Sequence, residues 1–204
     1  MRHNSHKFLK PTEHLRTLQV LEEVSKDSAI SQRKLSSRLG VALGVTNACI
    51  KKMISKGYIS ANGINHKKMS YSLTAQGVTE KAKLTYRFLR HTVGYYINLK
   101  KKINLELDII YKAGLKRILY YGAGEVMEVA FICLNGTDFE MVGIVDDSKE
   151  RQGERVFNFT IMDPGQIKSM KPEAILITSI RYKSEISDKL KKNKGLKDIA
   201  LYSL

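Results

Sequence analysis

A short run of glycines, followed at a distance by two carboxylates, could bind the phosphate and ribose groups of a nucleotide. The run is Gly122-Ala123-Gly124-Glu125, and Asp146-Asp147 begin 24 residues beyond its first glycine. Glycines let a phosphate approach the backbone at the positive end of a helix, and a carboxylate at about this spacing can meet a ribose hydroxyl. Thr178 and Ser179 follow a later apolar run, and we expect them to close the same site.

A second set of residues could contact DNA. It combines small, amide and cationic side chains: Ser31, Gln32, Arg33, Gly44, Val45, Asn47, Ala48, Lys51, Lys52, Asn65, His66, Lys67 and Lys68. Small residues let a helix approach the major groove closely, and an asparagine can hydrogen-bond an adenine edge. Cations on a neighbouring loop would contact phosphates, which position a protein on the duplex without reading its sequence.

The positive charge belongs to the same half of the chain. Residues 1–117 contain 23 Lys and Arg against 7 Asp and Glu, a net charge of +16, whereas residues 118–204 contain 12 against 13, a net charge of −1. One-sided charge of this kind is typical of a surface that binds polyphosphate. For each lysine taken alone, a solvated surface position is the simpler interpretation, but their grouping favours DNA contact.

Three helices and a hairpin would position the DNA-contacting residues. Thr12 and Ser31 are candidate N-caps of the first two helices, and Gly40 is a candidate C-cap of the second. A third helix is expected over residues 43–56, with an inward face made of Leu43, Thr46, Ile50, Met53 and Ile54. Residues 58–61 and 69–73 are expected to pair as strands around a basic turn. This order predicts a winged helix-turn-helix, which lays one helix in the major groove.

Several motifs between residues 12 and 100 point to a known family: Ser31-Gln32-Arg33-Lys34-Leu35, Arg38-Leu39-Gly40, Leu43-Gly44 with Asn47, Cys49 and Lys51, Leu73-Thr74-Ala75-Gln76-Gly77, and Glu80-Lys81-Ala82. Together they resemble MarR-type winged-helix regulators, in particular the subgroup associated with exopolysaccharide gene clusters. The resemblance implies a DNA-binding transcriptional regulator. Val45 and Ala48 stand where larger or basic residues are expected, so the resemblance does not imply an operator sequence.

A long helical connector is expected from residue 74 to about residue 113. An interrupted heptad seam runs along it, formed by Leu89, Tyr96, Leu99, Ile103 and Ile110. The seam predicts a homodimer, because helix-turn-helix proteins commonly bind paired half-sites as two-fold dimers. The alternative is that this helix packs on its own C-terminal domain.

The C-terminal half alternates strands and helices. Strands are expected at residues 116–121, 141–145, 174–178 and near 199–201, with helices after the glycine turn and over 183–192. This order predicts a small parallel sheet of Rossmann type. Met127 stands where the third glycine of a dinucleotide-binding turn would fall, and Glu125 adds a negative charge. A degenerate site, kept for packing or dimerisation, therefore stays open as an alternative.

Three segments of this half carry a second resemblance: Tyr120-Tyr121-Gly122-Ala123-Gly124-Glu125, Val142-Gly143-Ile144-Val145-Asp146-Asp147 and Gly153-Glu154-Arg155-Val156. They resemble the Rossmann-type domain at the front of many polysaccharide-biosynthesis proteins. The resemblance implies a ligand such as a nucleotide, a nucleotide-sugar or coenzyme A. Residues 157–163 depart from that family's pattern.

No catalytic or metal-binding pattern is visible in the sequence. All five histidines lie in the first half, a Tyr-x-x-x-Lys pair is absent from the second half, and Cys49 and Cys133 match no zinc spacing. No apolar run reaches the length of about 18 residues that a membrane span requires. We expect a cytoplasmic protein that makes no membrane contact and whose C-terminal half binds without turnover.

The combined prediction is an α+β winged helix-turn-helix over residues 1–79, a helical dimerisation segment over 80–114, and an α/β Rossmann-like domain over 115–204. Its partners would be double-stranded DNA, a second copy of the chain and a small-molecule effector. A first alternative is an NADH-sensing redox regulator with the architecture of the Rex family, so NAD(H) also remains a candidate ligand. A second alternative is a small enzyme that modifies nucleotide-sugars.

Overall fold

The computed structural model describes residues 12–63 and 69–204. The chain forms two compact units, which divide between Val93 and Gly94. The predicted contacts at Asn65, His66, Lys67 and Lys68 lie outside the described residues. Within the described ranges, no helix combines the length and the apolar character that crossing a membrane would need.

The first unit is a winged helix-turn-helix. Its elements are α1 (Glu13–Lys26), α2 (Gln32–Leu39), α3 (Leu43–Ser55), β1 (Ile59–Gly63), β2 (Met69–Leu73) and the first half of α4 (Ala75–Lys112). The two strands pair antiparallel as a wing. The local signals for helix ends are confirmed, because Thr12 accepts the N–H of Leu15 at 3.3 Å, Ser31 accepts the N–H of Lys34 at 3.2 Å, and Gly40 ends α2.

The core of this unit is built from one face of each helix and the wing. Its buried residues are Leu18, Val20, Leu21, Val24, Ile30, Leu35, Ile50, Met53, Ile59, Tyr71 and Leu84. The predicted inward face of α3 is only partly correct, since Thr46, Ile50 and Met53 are buried but Leu43 and Ile54 are 40% and 38% exposed. The buried stripe of α3 is therefore narrower than a helical wheel predicts. The reason is that α3 is covered by α1, α2 and β1 along one side only.

The junction between β2 and α4 explains the Leu-Thr-Ala-Gln-Gly motif. The hydroxyl of Thr74 accepts the N–H of Gly77 at 3.0 Å and donates to the carbonyl of Gly57 at 2.5 Å. A side chain at position 77 would collide with the carbonyl oxygen of Tyr58. The motif thus fixes the start of α4 against the turn that precedes β1.

The second half of α4 belongs to the second unit and corrects part of the predicted dimer seam. Leu99, Ile103 and Ile110, together with Leu107, are buried in the core of that unit. They are consequently not free to meet a second copy of the chain. For this half of the helix, the alternative of packing on the C-terminal domain is the correct one.

The second unit is an α/β domain with a mostly parallel sheet. After α4 come β3 (Arg117–Tyr121), α5 (Glu125–Cys133), β4 (Glu140–Val145), β5 (Arg155–Val156), β6 (Phe159–Met162), β7 (Ala174–Ile177), α6 (Lys183–Lys192) and β8 (Ala200–Ser203). The sheet order is β5-β6-β4-β3-β7-β8. All neighbouring pairs are parallel except β5 with β6. Apart from β5, the strands thus follow the doubly wound order of third, second, first, fourth and fifth.

The hairpin of β5 and β6 was not predicted. Its turn contains Phe157, which has a φ of 53°, a left-handed conformation that a bulky residue rarely adopts. The Phe157 ring stacks on that of Phe131 of α5, with centroids 4.1 Å apart and planes 16° apart. This stacking anchors an edge strand whose turn lacks the usual Asn-Gly signal.

Candidate nucleic-acid interface and candidate ligand-binding turn

The exposed side of α3 carries five of the nine described residues that were predicted to contact DNA. Gly44, Ala48, Lys51 and Lys52 are exposed, and Val45 is 38% exposed. At 100° per residue they share one side of the helix, opposite the buried stripe. The side chains on this side are small and apolar in the first half of the helix and cationic in the second half. We call these five residues the α3 face.

Asn47 lies at the edge of the α3 face. The residue is half-buried, and its Oδ1 is fully buried without a hydrogen-bond partner among the described residues. In a bidentate contact with adenine, the Asn amide nitrogen donates to N7 and Oδ1 accepts from the adenine amino group. Such a contact needs Oδ1 at the protein surface. Oδ1 is therefore not placed for that contact, and the DNA contact predicted for Asn47 stays a prediction.

Lys52 has a partner that the sequence did not reveal. Its Nζ lies 2.6 Å from Oε1 of Glu13, which is also 3.9 Å from Nζ of Lys56. The hydrogen bond and charge of Lys52 hold the pKa of the Glu13 carboxyl below its ordinary value. Glu13 therefore places a negative charge beside the cationic end of the α3 face. The two residues lie 39 positions apart, so no local pattern could predict the pair.

Two residues at the start of α2 have hydrogen-bond partners inside the unit. The Ser31 hydroxyl accepts the N–H of Lys34, and the Gln32 amide donates to the hydroxyl of Tyr71 at 2.9 Å. Both side chains thus have structural partners inside the unit. Arg33 is exposed, and none of the ion pairs formed within residues 12–63 and 69–204 involves it.

The glycine turn of the second unit lies at the carboxyl end of β3, next to the end of β7. Gly122 has a φ of 106°, which favours glycine, and its N–H donates to the carbonyl of Val145 at 2.8 Å. A Cβ at this position would lie 3.1 Å from Cβ of Ser179. The turn is therefore next to Ser179. This is also the place where the strand order reverses, and where open α/β sheets bind ligands.

Two of the predicted ligand residues, Asp146 and Thr178, hold the turn itself. The Asp146 carboxylate accepts the N–H of Ala123 at 2.7 Å and the N–H of Ser148 at 2.8 Å. The Thr178 hydroxyl is buried and donates toward the carbonyl of Gly122 at 2.6 Å. The Ala123 N–H is consequently engaged within the chain.

Asp147 belongs to a cluster, with Tyr121 and Lys189, that the sequence did not predict. It forms an ion pair with Lys189 of α6, and its carboxylate accepts the hydroxyl of Tyr121 at 2.9 Å. Burial, and next the hydrogen bond to Asp147, raises the pKa of Tyr121 to about 12. The hydrogen bond from Lys189 to Asp147 raises the pKa of Lys189. The cluster joins the ends of β3 and β4 to α6.

Gly124 and Glu125 are the open part of the turn. Gly124 is the N-cap of α5, and a Cβ built there would have nothing within 4 Å. Glu125 and Glu128 lie in the first turn of the helix. Acidic residues stabilise this helix end but oppose a bound anion. The turn can therefore offer backbone N–H groups and space, with carboxylates that would accept hydrogen bonds from ligand hydroxyls.

A second concavity of the same unit was not predicted. It has a volume of about 500 Å³ and lies between α4 and the segment after α5. Asn104, Asp108, Asp138 and the buried thiol of Cys133 are among its lining residues. Burial raises the pKa of that thiol, so the thiol stays protonated at neutral pH.

Comparisons with known proteins separate the chain into the same two parts. Residues 15–60 match the family described as winged helix-turn-helix DNA-binding, and residues 114–198 match the family described as C2185-like, N-terminal. No curated protein matches the sequence.

Solved structures similar to the chain include two regulators and one dehydrogenase. MarR from E. coli is 20% identical, with 34% of this chain and 53% of MarR covered and a TM-score of 0.31. The PcaV transcriptional regulator from Streptomyces coelicolor is 16% identical over 48% of this chain and 74% of its own, with a TM-score of 0.38. UDP-D-quinovosamine 4-dehydrogenase from Vibrio fischeri is 22% identical over 44% and 78%, with a TM-score of 0.37. The chain thus spans about half the length of MarR, and these similarities assign no ligand or activity to it.

Proposed function

We propose that this chain is a transcriptional regulator that binds duplex DNA with α3 in the major groove. The observation that carries the proposal is the α3 face, because it combines small side chains with lysines on the solvent side of the third helix of a winged helix-turn-helix. The match of residues 15–60 to DNA-binding winged helices supports it. So does the net charge of +16 in residues 1–117.

A charge placed in the centre of the α3 face tests the proposal. In the full chain, Ala48→Glu should abolish binding to duplex DNA at micromolar protein, since its carboxylate would face the phosphates and base edges. The matched control is Ala113→Glu, which adds the same charge at an exposed position of the second unit. Equal binding by both variants, measured by fluorescence anisotropy, would contradict the proposal.

We further propose that the second unit binds a nucleotide or nucleotide-sugar and thereby changes DNA affinity, in control of surface polysaccharide genes. Two features support a ligand there: the open space at Gly124, and the position of the turn at the carboxyl end of β3 beside β7, where the strand order reverses. A coupling of about 1–3 kcal/mol between ligand and DNA would change operator affinity about 5- to 150-fold. The engaged N–H of Ala123 favours the alternative of a degenerate turn in an assembly domain.

A thermal-shift panel tests the ligand proposal. It should contain NAD(H), coenzyme A, nucleoside phosphates and nucleotide-sugars, because an NADH-sensing regulator and a nucleotide-sugar enzyme remain alternatives. Gly124→Val should remove the shift without changing DNA binding in the absence of ligand. If the thermal shift were lost in Asn104→Trp but kept in Gly124→Val, the ligand would bind in the second concavity and not at the glycine turn. Turnover of a nucleotide-sugar would favour the enzyme, and no shift at all would favour the assembly domain.

We also propose that the protein binds DNA as a homodimer through the first half of α4. Tyr86, Leu89 and Val93 recur there at spacings of 3 and 4 residues, and each is exposed in the single chain. Apolar residues with this spacing form the seam of a pair of helices. A two-fold dimer would present two α3 faces to two half-sites of one operator.

A further inference from the structure

The part of the α3 face nearest the start of the helix has almost no hydrogen-bonding side chains. Gly44, Val45 and Ala48 are exposed, and their side chains offer neither donors nor acceptors. A Cβ built on Gly44 would have nothing within 4 Å, so the surface around it is open. In helix-turn-helix proteins, the N-terminal residues of the recognition helix contact base edges.

Several polar atoms of α3 that could compensate are engaged or buried within the unit. The Oδ1 atom of Asn47 is buried, and the ammonium of Lys52 is paired with Glu13. The Ser55 hydroxyl donates to the carbonyl of Lys52 at 3.0 Å. Of the two lysines on the α3 face, Lys52 is paired with Glu13, whereas Lys51 forms no ion pair within residues 12–63 and 69–204. Lys51 lies in the second half of the helix, away from the N-terminal residues that contact base edges.

The chemistry of the major groove then selects the base pair. All four bases present hydrogen-bonding groups there, and only thymine also presents a methyl group beside its O4 acceptor. An apolar side chain placed against a guanine or cytosine edge would cover donors and acceptors without satisfying them, which is costly. The same side chain placed against a thymine methyl would bury apolar surface on both partners.

We propose that Val45 and Ala48 read thymine methyl groups, so the preferred half-site carries consecutive A·T pairs where the first half of α3 enters the major groove. Gly44 allows the approach that such contacts require. The inference rests on the proposed DNA binding and adds the class of sequence that is read. The specificity would come from apolar contact, and the affinity from phosphate contacts that every sequence provides.

Replacing thymine by uracil tests the inference, because it removes the methyl group and keeps the base pairing. A preferred duplex is first selected from a random pool with the full chain, and uracil is then introduced at one A·T pair at a time. At one or more positions in each half-site, uracil should weaken binding about fourfold. That factor corresponds to about 0.8 kcal/mol for one buried methyl-sized group.

The Val45→Ala variant identifies the contact. It should lose the penalty for uracil at one of those positions and keep it at the others, whereas Val78→Ala, an exposed valine of α4, should keep every penalty. Equal binding of the thymine and uracil duplexes, or selection of G·C pairs at the contacted positions, would overturn the inference and leave DNA binding intact. If no duplex bound at all, the proposed function would fail as well.

Discussion

At the scale of single residues, Glu13 limits how strongly the α3 face can attract DNA. Its carboxylate holds Lys52 at 2.6 Å and faces Lys56 at 3.9 Å. Lys52 keeps the pKa of this carboxyl below its ordinary value, so the group stays ionised at neutral and mildly acidic pH. A phosphate that approaches Lys52 must therefore compete with an existing partner and meet a negative charge.

We expect Glu13→Gln to strengthen binding to all DNA sequences by a similar factor. The freed ammonium can neutralise one more phosphate, which should steepen the log–log salt dependence by about 0.9. Glu22→Gln, the same change at a residue of α1 that forms no ion pair among residues 12–63 and 69–204, is the control. Anisotropy titrations at several salt concentrations measure both. An unchanged slope in Glu13→Gln would mean that Lys52 does not reach phosphate.

Tyr121 gives a prediction for the second unit. Its phenol is buried and bonded to Asp147, and its raised pKa of about 12 means that the folded state favours the neutral form. The corresponding stability is complete below pH 10, the ordinary pKa of tyrosine, and is lost as pH rises from about 10 toward 12. The free energy of unfolding should therefore fall less between pH 9 and pH 11 in Tyr121→Phe than in the unaltered chain.

Urea unfolding at the two pH values measures this difference. Tyr86→Phe, which removes a phenol that is 67% exposed, serves as the control. If Tyr121→Phe and the unaltered chain lost the same amount of stability, the phenol would titrate alike in the folded and unfolded states. The cluster of Tyr121, Asp147 and Lys189 would then not hold the ends of β3 and β4 as described.

At the scale of elements, the two halves of α4 should respond differently to substitution. Ile103 is fully buried in the second unit, so Ile103→Ala should destabilise that unit by about 2–5 kcal/mol. Leu89 is 57% exposed in the first half, so Leu89→Glu should leave the fold intact and separate a dimer into monomers. Circular dichroism follows the first effect, and light scattering at tens of micromolar protein follows the second.

Two results would contradict this division of α4. If the unaltered chain were monomeric at tens of micromolar, the proposed dimer would be contradicted. A dimer that persists in Leu89→Glu would show that its interface does not involve Tyr86, Leu89 and Val93. Neither result would affect the burial of Ile103, which depends on contacts within one unit.

The same helix shows which of its features local sequence patterns can predict. Its length was predictable because helix formers continue without proline from residue 75 to residue 112. Which apolar residues it buries was not predictable, because a seam for a partner helix and a face for a sheet have similar spacing. Leu99 and Leu89 fit the same heptad pattern, yet only Leu99 is buried.

At the scale of the whole molecule, the sequence predicted both folds from signals that act over a few residues. Caps at Thr12 and Ser31, strand composition and the glycine turn are local, and each was confirmed where described. The turn of the β5–β6 hairpin was missed because Phe157 depends on stacking against Phe131, 26 residues away. The candidate sites were less predictable, since the pairs Glu13–Lys52 and Asp147–Lys189 join residues far apart in the chain.

Whether the α3 face binds the phosphates and grooves of duplex DNA can be measured through the salt dependence of binding in the full chain. The unaltered protein should show a steep negative log–log slope, and Lys51→Ala should reduce its magnitude by about 0.9, or one phosphate contact. Lys191→Ala, which removes an exposed lysine of α6, should leave the slope unchanged. A slope near zero, or equal losses in the two variants, would contradict the account.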